Sequence, residues 1–130
     1  MPDTEPSPRA RELVRGAYDL HVHVEPDLAK RRIDDLGLAH RFAELGLAGF
    51  VLKSHYAPTA ERKVSWEQTF DAIRATGPEH NVLSTDLGQV QNPPVEDGLA
   101  LMADRLLEAG FSEDDVRTMA VTNTRLLAGV

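Results

Sequence analysis

The amino-acid sequence predicts an α/β protein. Short apolar runs alternate along the chain with segments whose apolar residues recur at helical spacing, which is the pattern of βαβ units and a parallel sheet. The chain has 130 residues, of which 42% are hydrophobic and 27% are charged, and this is the usual balance of a globular protein. The length fits one domain with its own core. We therefore expect a single domain over residues 1–130, with about three parallel strands and flanking helices.

Three segments have the pattern of strands. Ala17–Val24 alternates polar and apolar residues, so its polar side chains share one face. Gly49–Ser54 is a continuous apolar run that ends in polar residues. Asn81–Asp86 precedes a loop whose glycine and prolines exclude regular structure. In a parallel sheet the C-terminal ends of these strands lie along one edge.

Helices are expected between and after the strands. Asp34 or Asp35 can cap the first of them, and Gly46 supplies its stop. Ser65 and Gln68 have the spacing of a capping box at the start of the second. The predicted helices lie near residues 34–45, 65–75, 95–109 and 113–121.

Composition excludes several classes of partner and ligand. The formal net charge is −7, which would repel a phosphate backbone, so no nucleic acid is expected to bind. Cysteine is absent, and any metal must therefore be held by nitrogen and oxygen ligands. The polar, proline-rich start has no apolar stretch resembling a signal peptide or membrane span. We expect a disordered N-terminus at residues 1–8, no membrane partner and a cytoplasmic location.

Side chains with metal-binding chemistry occur at the predicted C-terminal ends of the strands. His21 and His23 are two residues apart on the first strand, so both imidazoles point the same way, about 7 Å apart along the chain, and can reach one ion. His55, next to Lys53, follows the second strand, and Asp86 ends the third. One ion would account for the whole group. The sequence therefore predicts a metal site at this edge, with His21 and His23 as its first ligands.

Each of these residues also has a simpler interpretation. Asp86 could cap the turn that follows it, Lys53 could be a solvated strand end, and His55 could bond a loop carbonyl. A histidine pair on a strand is often a packing or surface feature. His40 falls in the middle of a predicted helix and His80 in a turn at the other end of the sheet, so we assign both to the surface.

Two motifs resemble a known family. GAYDLHVHVEPD at residues 16–27 resembles the first-strand motif of the amidohydrolase superfamily, in which Asp-x-His-x-His supplies two metal ligands inside a (β/α)8 barrel. NVLSTDLGQ at 81–89 is similar to that family's eighth strand, where an aspartate binds metal and acts as a base. VTNTRLLAG at 121–129 resembles its closing helix.

A third segment resembles one branch of the same superfamily. GFVLKSHYAPT at residues 49–59 is similar to a group of hydrolase-like proteins within it, through Lys53, His55, Pro58 and Thr59. Together the matching segments span most of the chain.

The resemblance implies roles for the candidate residues. His21, His23, His55 and Asp86 would hold a Zn²⁺-like ion, and Asp86 would also orient or deprotonate the water on it. Lys53 would polarise the substrate or stabilise an oxyanion. Zn²⁺ is the expected ion, and Fe, Mn, Co or Ni suit the same imidazole and carboxylate ligands.

The chain is too short for the whole barrel. A (β/α)8 barrel needs about 200 residues or more, and only the first two strands and the last have counterparts here. These strands are neighbours around a closed barrel and could remain together as a partial (β/α)8 barrel. Its open edges and uncovered inner face would be covered if two identical chains paired. We therefore expect a homodimer.

The expected function is metal-dependent hydrolysis of a small amide, ester or lactone-like substrate through a metal-activated water. One alternative is a non-catalytic remnant that binds metal or ligand, or a subunit of a larger complex. Another is a metal-dependent decarboxylase or hydratase, since a water-bearing ion serves those reactions too. The substrate itself would be selected by loops whose shape composition does not reveal.

Overall fold

The structure is a computed structural model that describes residues 5–23, 25, 30–52 and 65–130. Its helices and strands in chain order are α1 (Pro8–Leu13), β1 (Tyr18–Val22), α2 (Asp35–Leu45), β2 (Gly49–Leu52), α3 (Trp66–Thr76), a 3₁₀ turn (Pro78–His80), α4 (Val95–Glu108), α5 (Glu113–Arg117), a π-helical turn (Thr118–Thr122) and α6 (Asn123–Ala128).

Two of the predicted helices begin and end where capping residues indicated. α2 follows Asp34, whose side chain accepts a hydrogen bond from Gly37 N at 2.7 Å. It ends at Gly46, which has a left-handed φ of 80° that a residue without Cβ adopts freely. α3 follows Ser65, and the reciprocal capping box between Ser65 and Gln68 is present. These helix boundaries confirm the sequence prediction.

β1 and β2 are parallel neighbours, as the sequence predicts for an α/β protein. Tyr18 lies opposite Gly49, and Val22 lies opposite Leu52, the last residue of β2. The helix between them, α2, supplies the crossover that parallel strands require. Both strands therefore end at the same edge of the sheet.

The predicted third strand at residues 81–86 is not formed. This segment has no regular structure, so the described residues contain two strands rather than three. Leu83 N donates instead to Met119 O at 3.2 Å, in the π-helical turn. Asp86 has a φ of 58°, which turns the chain out of an extended ladder.

Only the end of this segment pairs with β1. Leu87 forms an isolated parallel bridge with Val22. Asp86 N donates to His21 O, and His23 N donates to Leu87 O, each at 2.7 Å. β1 is therefore flanked by β2 on one side and by the Asp86–Leu87 segment on the other.

The core is built around α4. This helix contacts α1, α2 and α5. Its buried apolar residues pack in one cluster with Val22 of β1 and Met119 of the π-helical turn. The apolar residues that α4 contributes are Val95, Leu99, Ala100, Ala103 and Leu106.

The N-terminal part of the chain is tied to α4. Ser7 caps α1, and its backbone N and Oγ donate to the Asp104 carboxylate at 2.8 and 2.6 Å. Part of the segment that the sequence predicts to be disordered is therefore a helix cap, while residues 1–4 lie outside the described residues. His40 and His80 are exposed, as expected. Over the described ranges, no helix has the length and apolar character needed to cross a bilayer.

Candidate metal centre

Two histidines project near the end of β1. The ring centroids of His21 and His23 lie 5.3 Å apart. The side chain of His23 is 3% exposed and that of His21 is 36% exposed. One imidazole is thus enclosed by the protein and the other borders solvent.

Asp86 meets both rings from the neighbouring segment. Its Oδ1 lies 2.6 Å from His23 Nε2 and 3.0 Å from His21 Nε2. The Asp86 side chain also borders solvent, since it is 59% exposed. The strand and the segment beside it therefore deliver two imidazole nitrogens and one carboxylate oxygen to one point.

The backbone at Asp86 is strained. Among the described residues it is the only non-glycine with a positive φ, at 58°, and such conformations persist where the surroundings fix them, often at functional sites. Two hydrogen bonds fix this one: Asp86 N donates to His21 O at 2.7 Å, and Gln89 Nε2 donates to Asp86 O at 2.9 Å. The backbone of His21 thus helps to fix the position of the Asp86 carboxylate.

Gly88 allows the two segments to approach. It has a φ of 139°, and a Cβ placed on it would lie 1.7 Å from His23 O and 2.8 Å from His23 Cβ. Its own carbonyl accepts a hydrogen bond from Arg32 N at 2.7 Å. Only glycine fits here, because the backbone passes directly against the buried histidine.

A buried carboxylate lies beneath the site. Asp19 is fully buried, and its carboxylate accepts hydrogen bonds from Thr85 Oγ1 at 2.6 Å and Thr85 N at 3.1 Å. Burial raises the pKa of Asp19 to about 6, while the hydrogen bonds from Thr85 oppose that shift. Asp19 is therefore ionised above that pH and connects β1 to the residue before Asp86.

α4 packs against the other side of the Asp86 segment. A Cβ on Gly98 would lie 2.6 Å from Thr85 Cγ2 and 2.6 Å from Leu87 Cδ1. The helix can approach this closely only because it has no side chain at that position. The Asp86 turn is thus fixed between β1 and α4.

The donor set suits a divalent metal ion. His21, His23 and Asp86 each offer one ligand atom, and these atoms lie within 4.8 Å of one another. Ions such as Zn²⁺ bind imidazole nitrogen and carboxylate oxygen at about 2.0–2.2 Å, which puts neighbouring ligand atoms roughly 3 Å apart. Among the described residues this is the one group of three potential ligands so arranged.

The sequence predicted part of this arrangement. It singled out His21, His23 and Asp86, and the structure places these three together. Lys53 and His55 lie outside the described residues. It did not assign roles to the residues that support the trio: Asp19, Thr85, Gly88 and Gly98. A signal existed for Asp19, which shares a strand face with both histidines.

One protein family matches most of the chain. A family model described as a family of unknown function (DUF6282) matches residues 16–104, which include both strands, α2, α3, most of α4 and all three donor residues. No curated protein and no solved structure matches the chain.

Proposed function

The chain belongs to this family, DUF6282, and for this member we propose a metal-dependent hydrolase that acts on a small amide, ester or lactone-like substrate. One observation carries the proposal: His21 Nε2 and His23 Nε2 both face Asp86 Oδ1, at 3.0 and 2.6 Å. Two imidazoles and one carboxylate with open positions beside them are a donor set of catalytic metal sites. The first-strand and last-strand motifs that resemble the amidohydrolases contain these same residues.

When bound, a divalent ion supplies a Lewis acid and a water that ionises near neutral pH. We propose Zn²⁺, with Fe, Mn, Co or Ni as alternatives for the same donors. His23 would be the most firmly held ligand, because its ring is buried. His21 and Asp86 would bind from the solvent side, where a small substrate can approach.

Asp86 would have a second role. Its Oδ1 makes both contacts to the histidines. A carboxylate that binds through one oxygen can accept a proton at the other, so Asp86 is proposed as the general base as well as a ligand. The Asp86 side chain is 59% exposed, which gives its carboxylate access to water.

Lys53 and His55 remain proposals from the sequence. β2 ends at Leu52, which is paired with Val22 between the two histidines, and Lys53 and His55 come directly after it. We propose His55 as a further metal ligand and Lys53 as the group that polarises the substrate or stabilises an oxyanion.

Elemental analysis of the purified protein tests the metal site. Wild type should carry about one equivalent of a divalent metal, and the His21→Ala/His23→Ala double variant should carry none while its helical circular dichroism is unchanged. The exposed histidines provide a matched control: His40→Ala/His80→Ala removes two imidazoles of the same chain and should retain the metal. Full occupancy in the His21/His23 variant would overturn the assignment.

Hydrolysis is tested separately with small activated substrates. Nitrophenyl esters, anilides and simple lactones cover the proposed class, and turnover should be lost with a chelator and restored by metal. A protein that binds metal but converts none of these would be the non-catalytic binding module. Release of CO₂ or addition of water to a double bond would instead indicate a decarboxylase or hydratase.

The exposure of the donors favours a second chain at the site. Asp86 is 59% exposed and His21 is 36% exposed, so the described part of the chain leaves the donors open to water on one side. We propose that two chains pair over this side, as partners of a partial barrel completed by dimerisation. Enclosure would raise the strength of electrostatic interactions with a bound substrate. A cytoplasmic location stays a prediction.

A further inference from the structure

Asp19 is a buried carboxyl group that the donor set does not use. Its side chain is fully buried on β1, and acidic side chains are rarely buried unless they are paired. Within the described part of the chain it is not one of the three residues whose ligand atoms converge. Its role must therefore lie in what its carboxylate contacts.

The carboxylate contacts the two segments that carry the donors. Oδ1 accepts hydrogen bonds from His21 N at 3.3 Å and from Thr85 N at 3.1 Å, and Oδ2 accepts one from Thr85 Oγ1 at 2.6 Å. Asp19 thus connects the strand of the histidines to the residue directly before Asp86.

The hydroxyl of Thr85 is both a hydrogen-bond donor and a hydrogen-bond acceptor. While Oγ1 donates to Asp19, it accepts a hydrogen bond from Leu87 N at 3.2 Å. The hydroxyl therefore bridges across Asp86, from the residue before it to the residue after it. This bridge defines the turn in which Asp86 has its φ of 58°. The close packing of Gly98 against Thr85 prevents the turn from moving back toward α4.

We propose that Asp19 and Thr85 are a positioning pair that holds the Asp86 carboxylate against His21 and His23. The inference rests on the proposed function only in taking the Asp86 carboxylate to be a metal ligand. Neither residue would touch the metal or the substrate. Their effect passes through Asp86, as partners of metal ligands commonly act.

Thr85→Val is the principal test, because it keeps the shape of the side chain and removes the hydroxyl. It should weaken Zn²⁺ binding by about 10- to 100-fold, the usual effect of losing an outer partner of a ligand. Thr85→Ser restores the hydroxyl and should bind Zn²⁺ as wild type does. Asp19→Asn should match Thr85→Val. If Asp19→Asn does not fold, the two Thr85 variants decide the question.

Thr124→Val is the matched control. Thr124 is also buried, and its Oγ1 accepts a hydrogen bond from Tyr18 N at 3.3 Å, at the opposite end of β1. The same chemical change should therefore lower stability without lowering Zn²⁺ affinity. A merely structural role for Thr85 would make the two valine variants alike.

Two readouts complete the experiment. The visible absorption of the Co²⁺-loaded protein reports ligand geometry, and it should change in Thr85→Val but not in Thr124→Val. In metal-free protein at one fixed pH, the ¹⁵N shift of His23 Nε2 reports its contact with Asp86, and it should follow the same pattern.

The second readout keeps this inference separate from the metal assignment. If wild type binds no metal, the proposed function fails, and the imidazole shift alone decides whether Asp19 and Thr85 position Asp86. A Thr85→Val protein with the wild-type imidazole shift, or with wild-type Zn²⁺ affinity and Co²⁺ spectrum, would overturn the inference.

Discussion

Gly88→Ala is the sharpest perturbation of this site by a single methyl group. The added Cβ would lie 1.7 Å from His23 O, far inside any contact that real Cβ atoms make. The segment that carries Asp86 must therefore move away from β1 by at least about 1 Å, as overpacked backbones do. Asp86 lies only two residues before Gly88, so the 2.6 Å contact between Asp86 Oδ1 and His23 Nε2 cannot survive such a shift.

Two costs add in this variant. Placing a side chain at a φ of 139° costs about 1–3 kcal/mol in backbone strain, and the collision costs about 1–3 kcal/mol more as overpacking. We expect the free energy of unfolding to fall by about 2–6 kcal/mol, measured by urea denaturation of the metal-free protein. Zn²⁺ affinity should fall by at least the 10- to 100-fold that follows loss of a ligand's outer partner.

Gly110→Ala separates the strain from the collision. Gly110 also has a positive φ, of 101°, and a Cβ there would have nothing within 4 Å. Its alanine variant should lose only the strain portion of the stability and should bind Zn²⁺ as wild type does. A Gly88→Ala protein that matches Gly110→Ala in both measurements would refute the close approach of Gly88 to His23.

Two further predictions concern the donors and the assembly. Asp86→Asn should lower any hydrolytic rate by about 100-fold or more while the melting temperature barely moves, because the amide keeps the shape and loses the base; an active variant would remove the catalytic role. Light scattering at micromolar concentration should give a mass near twice 14.3 kDa, because in the proposed dimer two chains pair over the exposed donors. A stable monomer with full activity would contradict the proposed dimer.

Local features of the fold could be predicted because their causes are local. The cap at Asp34 and the capping box of Ser65 with Gln68 need only residues within one helical turn. The alternation of polar and apolar residues in and beside β1 similarly predicted that His21 and His23 lie side by side, as they do in the structure. The prediction of the third strand was wrong for the opposite reason. Leu83 N donates its hydrogen bond to Met119 O, which is distant in sequence, and no residue near Leu83 indicates that pairing.

The candidate site likewise has features that the sequence predicts and features that it does not. The types of its donor residues are visible in sequence, but their convergence depends on contacts that span about half of the chain. The Asp19 carboxylate accepts a hydrogen bond from Thr85, and Gly88 allows its backbone to pack directly against His23. Each contact joins β1 to residues more than sixty positions away, and such contacts carry the largest loop-closure cost. Metal binding to three donors from these two segments would therefore close the same long loop, and the ion would stabilise the fold as well as the site.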